Sequence, residues 1–383
     1  MVLGYVRRRT RPTGEGKDVP SPKAFLCTLG PSSLNARVIP QLEAAGVTTF
    51  RINMSHTDLA DLERVIHFIQ RCTKVPISID TEGAQIRTGS MDEGVNVTEG
   101  SPVRLVTESV RGNASTIPLT PGYAIGRLEP ETWMSIDFDS VILRIDTVGE
   151  DGAEATVITG GEIGSRKAVT AFPSPPLLTF SEKDLLAIQI GMRNDVHQFA
   201  LSFCDHPSSV RRLREMVGRT DKITAKIESR EGVRNLAEIA RVADSLLIDR
   251  GDLSRSVRLE ALPLLQKTII RKANALGVPV YVATNLLESM VRRSTPTRAE
   301  VNDVINTLID GADGLVLAAE TAIGQHPIEA ARMIESLLKE FEDSVERFHL
   351  EELLGDHPLS LYRSPTGETS KWRTGPLAMS FAR

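Results

Sequence analysis

The chain has 383 residues, of which 41% are hydrophobic, 4% aromatic and 25% charged, and its formal net charge is −5. That is apolar enough for a sizeable core, while the slight negative balance and the scarcity of aromatic rings suit neither a nucleic-acid surface nor an acidic membrane. No run approaches the ~20 apolar residues of a membrane helix, no signal-type apolar run follows the basic start Arg7-Arg8-Arg9, and the three cysteines (Cys27, Cys72, Cys204) form neither a C-x-x-C pair nor a metal spacing, so a reducing, cytoplasmic setting is expected.

In chain order, short apolar strand candidates alternate with helical patterns. Ala24–Thr28, Val47–Asn53 and Val75–Asp80 come first, with helical periodicity over Leu34–Ala45 and Leu59–Cys72 between them. After a long interval follow Val196–Phe203, Lys222–Ile227, Ser245–Ile248, Val278–Ala283 and Gly314–Leu317. Strands alternating with helices predict a parallel α/β sheet, and eight such units predict a closed (β/α)₈ TIM barrel rather than an open doubly wound sheet. The interval after Asp80 is too long for one strand-to-helix connection. It carries β-like runs at Pro102–Val106, Met134–Ile136, Val141–Ile145 and Ala155–Ile158, punctuated by Gly and Asp. This predicts a small all-β domain inserted after strand 3, hinged at Thr88-Gly89 and Pro173–Pro176. The expected organisation is an N-terminal arm (1–22), a barrel (23–87 and 177–350), an inserted β lid (88–176) and a C-terminal tail (351–383).

In such a barrel the chemistry sits where the strands end. Strand two ends Arg51-Ile52-Asn53-Met54-Ser55-His56, and alternation aims Arg51, Asn53 and Ser55 to one side. Strand three ends Asp80-Thr81-Glu82-Gly83-Ala84-Gln85-Ile86-Arg87. Strand five ends Lys226-Ile227-Glu228, with the Lys and Glu on one face, either as a structural ion pair or as a Lys acting on substrate oxygen beside a metal-binding Glu. Strand six ends Asp249-Arg250-Gly251-Asp252, and strand seven Ala283-Thr284-Asn285. Glu228 and Asp252 together offer hard oxygen ligands for Mg²⁺ or Mn²⁺. Two carboxylates, a Lys, Arg side chains and hydroxyls at one rim suit metal-assisted work on a small, highly anionic substrate, with phosphoryl transfer foremost. No P-loop or protein-kinase glycine set is present.

With these residues in place the sequence resembles the pyruvate kinase family. The shared stretches include Cys27-Thr28-Leu29-Gly30-Pro31-Ser32, Arg51–His56, Asp80-Thr81-Glu82-Gly83, Ser181-Glu182-Lys183-Asp184, Lys226-Ile227-Glu228, Arg250-Gly251-Asp252-Leu253, Ala283–Met290, Pro296–Glu300 and Glu320-Thr321-Ala322, in order from about Ala24 to Leu350. The family's C-terminal regulatory domain has no counterpart in these residues. The resemblance implies a phosphotransferase moving phosphate between phosphoenolpyruvate and ADP to give pyruvate and ATP. By position, Glu228 and Asp252 would bind the divalent ion. Lys226 would stabilise the phosphoryl group in flight, and Arg51 and Arg87 would hold phosphate. Thr284 would lie by the methylene carbon, and Gly251 and Asp252 would hold the carboxylate through backbone N–H groups. Asn53, Ser55, Asp80 and Thr81 would form a K⁺ site. Pro31, His56, Arg87 and Lys167 would border the nucleotide under the lid. Small-molecule partners, no nucleic acid and no membrane complete that expectation, with a homo-oligomer left open.

The departures from the family pattern cluster. Glu82 replaces a Lys, Ala84 a Pro, and Gln85 a Glu linked to the K⁺ requirement. Asp61 stands for an aromatic, Thr170 for an Asn, Phe138 for an Asp, Cys204-Asp205 for Val-Arg, Ser254 for a Gly and Asp249 for an Ala. The end expected to take phosphoenolpyruvate is retained and the nucleotide end is altered. Two other readings use the same residues: a metal-dependent lyase, aldolase or decarboxylase acting on a pyruvate-type enolate, and a non-catalytic phosphoenolpyruvate-binding relative.

Overall fold

The structure, a computed structural model, describes residues 23–83, 85–137 and 139–344. The expected arm and tail, Ala84 and Phe138 lie outside the described residues. The chain divides into two compact units, residues 1–338 and 339–383; of the second, only residues 339–344, the end of the helix Pro327–Ser344, are described.

The first unit contains eight parallel strands closed into a barrel. They are β1 (Ala24–Thr28), β2 (Thr49–Asn53), β3 (Ile77–Asp80), β4 (Gln198–Leu201), β5 (Lys222–Ile227), β6 (Ser245–Asp249), β7 (Val280–Ala283) and β8 (Gly314–Leu317). Consecutive strands pair, and β8 returns to β1 through the register Ala24↔Gly314 to Cys27↔Leu317. Period-two alternation sorts each strand. Phe25, Cys27, Phe50, Ile52, Ile77, Ile79, Leu246 and Ile248 are the buried apolar half. The other half faces the barrel interior. Leu26, Leu247, Ala283 and Val316 pack together there, and Thr224 shares a 2.8 Å hydrogen bond with Ser245.

Five expected elements are shorter than their periodicity suggested: β2, β3 and β7 each begin two residues later, and the first helix and β4 are shortened at both ends. The first helix is Ile39–Ala44, because Asn35 Oδ1 accepts the N–H groups of Arg37 and Val38 and Pro40 fixes the first helical turn. Strand β4 stops at Leu201, since Phe203 takes φ 48 and turns its N–H onto Glu228 Oε2 at 2.6 Å. The helix Leu59–Cys72 has its expected ends and buries Leu62, Val65, Ile66 and Ile69 at helical spacing.

Between β3 and β4 lies the inserted all-β domain, itself a closed barrel. Its strands run in the order Gly152–Thr159, Pro102–Val106, Thr116–Thr120, Ile86–Thr88, Ala168–Phe172, Trp133–Ile136 and Val141–Gly149. Leu105, Ile117, Met134, Leu143 and Ile145 lie in its own core, separate from the interior of the larger barrel. Ile86–Thr88 pairs with Ala168–Phe172 and Thr116–Thr120. Arg87 therefore stands on the inserted barrel, not on the loop after β3.

Candidate active site

The polar interior residues converge where β2, β3, β5, β6 and β7 end. At the centre is Lys226, 5% exposed. Its Nζ lies 2.9 Å from Glu228 Oε1, 3.2 Å from Asp80 Oδ2 and 3.8 Å from Asp249 Oδ2, and it donates to Ser202 Oγ at 3.1 Å. Burial works against its charge, but Asp80, Glu228 and Asp249 outweigh that and raise its pKa. Arg51, 4% exposed, donates from Nη1 to Asp80 Oδ2 at 2.7 Å and from Nε to Thr28 Oγ1 at 2.8 Å. Asp80 is fully buried between the two cations and also accepts from Ser202 Oγ at 3.2 Å. Such a buried charge network is stable only when each member is paired.

Glu228, Asp249 and Asp252 each present an oxygen to one region, all within 4.8 Å of one another. Burial pushes the Glu228 carboxyl above its ordinary range; Lys226 opposes this, while Asp252, Asp249 and Asp80 add to it. Glu228 Oε1 accepts no hydrogen bond; Lys226 faces it only as an ion-pair partner. Two buried carboxylates and a partly exposed third, acceptors only and with one oxygen free of hydrogen bonds, fit a hard divalent cation.

Asp249 was expected only as a departure from a pattern, and its place in this cluster is a residue that sequence reasoning missed. The signal was available: Asp249 is two residues from the inward-facing Leu247, so period two turns it inward. Its Oδ1 accepts from Thr284 Oγ1 at 2.6 Å and from the Gly251 N–H at 3.2 Å. Burial opposes its ionisation, but Lys226 and the Thr284 hydrogen bond hold its carboxyl below the usual range. Thr284 and Asn285 take φ 75 and φ 57, a costly conformation for the β-branched Thr. Arg250 secures it by donating to Thr284 O at 2.7 and 3.0 Å and to Asn285 O at 2.9 Å, while pairing with Asp303 at 2.6 Å.

The residues expected around K⁺ sit together on adjacent strand ends, with Asn53 and Asp80 in register. Asn53 Oδ1 accepts the Ser55 N–H at 3.0 Å, and Thr81 Oγ1 accepts the Ser202 N–H at 3.0 Å. Beside them Asp184 accepts the N–H groups of Glu82 and Gly83 at 2.7 and 3.2 Å, and Lys183 donates to Met54 O and lies 3.7 Å from Glu82. Glu82 thus has a partner that pairs a charge of its sign.

The residues expected at the nucleotide are less closely gathered. Burial first, then the nearby cations Arg87, Arg51 and Lys183, lower the His56 pKa, so His56 shares their surroundings. Among the described residues the Arg87 side chain donates one hydrogen bond, from Nη1 to Arg166 O at 3.0 Å, and its buried Nε–H donates to no partner. Lys167 pairs with Asp137 at 2.6 Å. Pro31 is exposed in the turn after β1, and no contact joins it to the others among the described residues. A cleft of about 120 Å³ lies between the two barrels, lined by Ser135, Asp139, Ala168, Thr170, Ser254, Arg255 and Val257. Arg255 pairs with Asp252. Two altered positions, Thr170 and Ser254, therefore face this one cleft.

Other shared stretches are structural. Glu320 is buried and accepts from Leu287 N and Ala318 N, and Thr321 Oγ1 donates to Thr28 O at 2.8 Å, which fastens β8 to β1. Thr297 and Glu300 form a capping box on the helix Arg298–Ile309.

A closed (β/α)₈ barrel with a β-barrel inserted after its third strand, and a Lys-centred carboxylate cluster at its rim, defines the class of protein: an α/β barrel with a lid-like insertion and a buried, charged rim. Comparison with known proteins narrows this. The family description "pyruvate kinase, barrel domain" matches residues 22–331. The chain is 36% identical over 336 residues to a pyruvate kinase from Geobacillus stearothermophilus, covering 84% of this chain and 57% of the relative. It is 33% identical over 335 residues to one from Thermotoga maritima, covering 85% and 72%. A crystal structure of a pyruvate kinase from Cryptosporidium parvum superimposes with a TM-score of 0.75 at 28% identity, covering 84% of this chain and 70% of that one. The chain belongs to the pyruvate kinase family. It spans little more than half the length of the Geobacillus relative.

Proposed function

We propose that this chain is a pyruvate kinase-like phosphotransferase that moves phosphate from phosphoenolpyruvate to a nucleoside diphosphate, ADP in the first instance. The observation that carries this reading is Lys226, a buried cation held at 2.9 Å from Glu228 and 3.2 Å from Asp80 Oδ2, an oxygen it shares with Arg51 at 2.7 Å. Phosphoryl transfer needs fixed positive charge around a group whose charge spreads over its oxygens. In the proposed step the bond from phosphorus to the enol oxygen breaks and a bond to a diphosphate oxygen forms. Lys226 and Arg51 stabilise the phosphoryl group between the two. The enolate left behind then takes one proton, ultimately from solvent, at its methylene carbon near Thr284 to give pyruvate. Glu228 and Asp252 would hold Mg²⁺ or Mn²⁺, which when bound supplies charge neutralisation and orientation.

Asn53, Ser55, Asp80 and Thr81 would take a monovalent cation such as K⁺. Arg51 and Lys226 would bind the substrate phosphate, while Gly251, Asp252 and Thr284 would face its carboxylate and methylene end. Arg87, His56, Pro31 and Lys167 would border the acceptor. The free thiols of Cys27, Cys72 and Cys204 fit a reducing cytoplasmic setting. Among the described residues no helix is long and apolar enough to cross a membrane.

The test is pyruvate formation from phosphoenolpyruvate with Mg²⁺ and each nucleoside diphosphate, with and without K⁺, and with Lys226→Met as control. Turnover lost in the control supports the reading and names the acceptor. Phosphoenolpyruvate binding without turnover on any diphosphate would overturn it. Nucleotide-independent turnover of a keto acid would favour a lyase instead.

A further inference from the structure

The roles proposed so far use two carboxylates for the divalent ion, yet the rim presents three. Asp249 ends β6 with its side chain inside the barrel, and one of its oxygens lies with those of Glu228 and Asp252 inside a 4.8 Å cluster. The three stand on separate supports. Glu228 follows β5, Asp249 closes β6, and Asp252 lies on the short helix Arg250–Ser254. Asp249 is also held before any ligand arrives, because its Oδ1 accepts from Thr284 Oγ1 at 2.6 Å and from Gly251 N at 3.2 Å. Its Oδ2 turns toward Lys226, at 3.8 Å and so beyond hydrogen-bonding distance. Glu228 Oε1, in a side chain with 0% exposure, accepts no hydrogen bond and meets Lys226 at 2.9 Å only as an ion-pair partner, which leaves it able to accept a cation as well.

The geometry points to Asp249 as a third carboxylate ligand that lets this chain hold its divalent ion before substrate binds. Affinity for a hard cation rises with the number of charged ligands and with their rigidity. A site with two carboxylates leaves the rest of its shell to water and substrate oxygens. A third, pre-positioned carboxylate takes one of those places, so the ion is retained when substrate leaves. Asp249 is at once the acceptor for the Thr284 hydroxyl, so the same side chain ties the ion to the residue proposed beside the methylene carbon. This rests on the proposed metal-assisted reading of the rim and adds to it an order of binding.

The experiment is Mn²⁺ binding to the full chain without substrate, by calorimetry and by electron paramagnetic resonance, in wild type, Asp249→Ala and Asp249→Asn. Asparagine keeps an oxygen for Thr284 and Gly251 while removing the charge, so it serves should the alanine variant fold poorly, and thermal unfolding is recorded for each. The expected result is one tightly bound Mn²⁺ in wild type and at least about tenfold weaker binding in Asp249→Asn and Asp249→Ala. The ion in Asp249→Ala should also show an added exchangeable water, read by line broadening in ¹⁷O-enriched water. Unchanged or tighter Mn²⁺ binding in both variants would overturn the inference and leave Asp249 as a cap on Thr284 alone. Failure of wild type to bind Mn²⁺ without substrate, while phosphoenolpyruvate with Mn²⁺ and a diphosphate still gives pyruvate, would sink the inference and spare the proposed function. Loss of both would sink the two together.

Discussion

The rim of the large barrel and the facing side of the inserted barrel are built to different standards. At the rim, Arg51, Asp80, Lys226, Glu228 and Asp249 are each buried and hold one another, and four of the five sit on barrel strands with the fifth immediately after one. On the inserted barrel, Lys167 is 42% exposed and pairs with Asp137, and the Arg87 side chain has a single hydrogen bond among the described residues. Side chains locked by packing and mutual hydrogen bonds keep geometry to a fraction of an ångström, whereas exposed ones do not. Altered positions fall in both regions: Thr170 and Ser254 line the cleft between the barrels, while Asp249 stands in the rim itself, bonded to Thr284 and facing Lys226.

The comparison is broken most severely at its centre. Lys226→Met leaves Asp80, Glu228 and Asp249 without their common cation. Turnover of phosphoenolpyruvate should fall by roughly 10³-fold or more, beyond the loss from one stabilising donor, because the carboxylates left behind repel the substrate as well. Steady-state rates with saturating Mg²⁺ measure it, and residual activity within tenfold of wild type would remove Lys226 from the transfer step.

Next comes the backbone under Thr284. Arg250→Ala removes three hydrogen bonds to carbonyls and the pair with Asp303. With its carbonyl contacts gone, Thr284 keeps only its side-chain bond to Asp249 to hold it at positive φ, and a cost of about 2–3 kcal/mol in stability is expected, along with a drop in kcat larger than any change in KM. Urea unfolding and kinetics on the same preparation separate the two. Asp303→Asn, which keeps the carbonyl contacts, should cost less on both measures.

Glu300 offers a pH test away from the chemistry. Burial opposes its ionisation, but bonds from Ser289 and Thr297 outweigh this and hold its carboxyl below the ordinary range. A depressed folded pKa gives stability that is present above the unfolded value, about 4.3, and lost as pH falls through the folded one. Glu300→Ala should therefore cost about 1–2 kcal/mol at pH 7, as loss of a helix cap does. The gap from wild type should narrow below pH 4, read from urea midpoints at each pH.

How much of this was legible in the sequence follows the same division. Alternating strands and helices predicted the eight-stranded barrel, and strand ends marked Arg51, Asp80, Lys226 and Glu228, because a strand carries its side chains in a period that can be read directly. The helix Leu59–Cys72 was legible for the matching reason, an apolar stripe at helical spacing. Arg87 was not placed on the inserted barrel, since three residues of strand, Ile86–Thr88, leave too short a pattern and only pairing across the domain defines them. The pairing of Glu82 with Lys183 and the hold of Asp184 on the loop after β3 join residues about a hundred positions apart, and no local rule reports them. Asp249 is the instructive case: its inward direction follows from Leu247, but its grip on Thr284 depends on how β6 and β7 lie side by side.

The smallest effect should be at Lys167. Its ammonium is paired with Asp137 at 2.6 Å, with 42% and 30% of the two side chains exposed. An exposed pair of this kind contributes about 0–1 kcal/mol. Lys167→Ala should leave stability almost unchanged and raise KM for the diphosphate by no more than about fivefold, with KM for phosphoenolpyruvate untouched. Kinetics with each substrate varied in turn distinguish these. A larger effect confined to the diphosphate would mean that Lys167 leaves Asp137 and binds the acceptor directly, so that the inserted barrel, for all its looser construction, sets the affinity for the nucleotide. An effect on phosphoenolpyruvate instead would place the two ends of the site in one continuous charge network and remove the distinction between them.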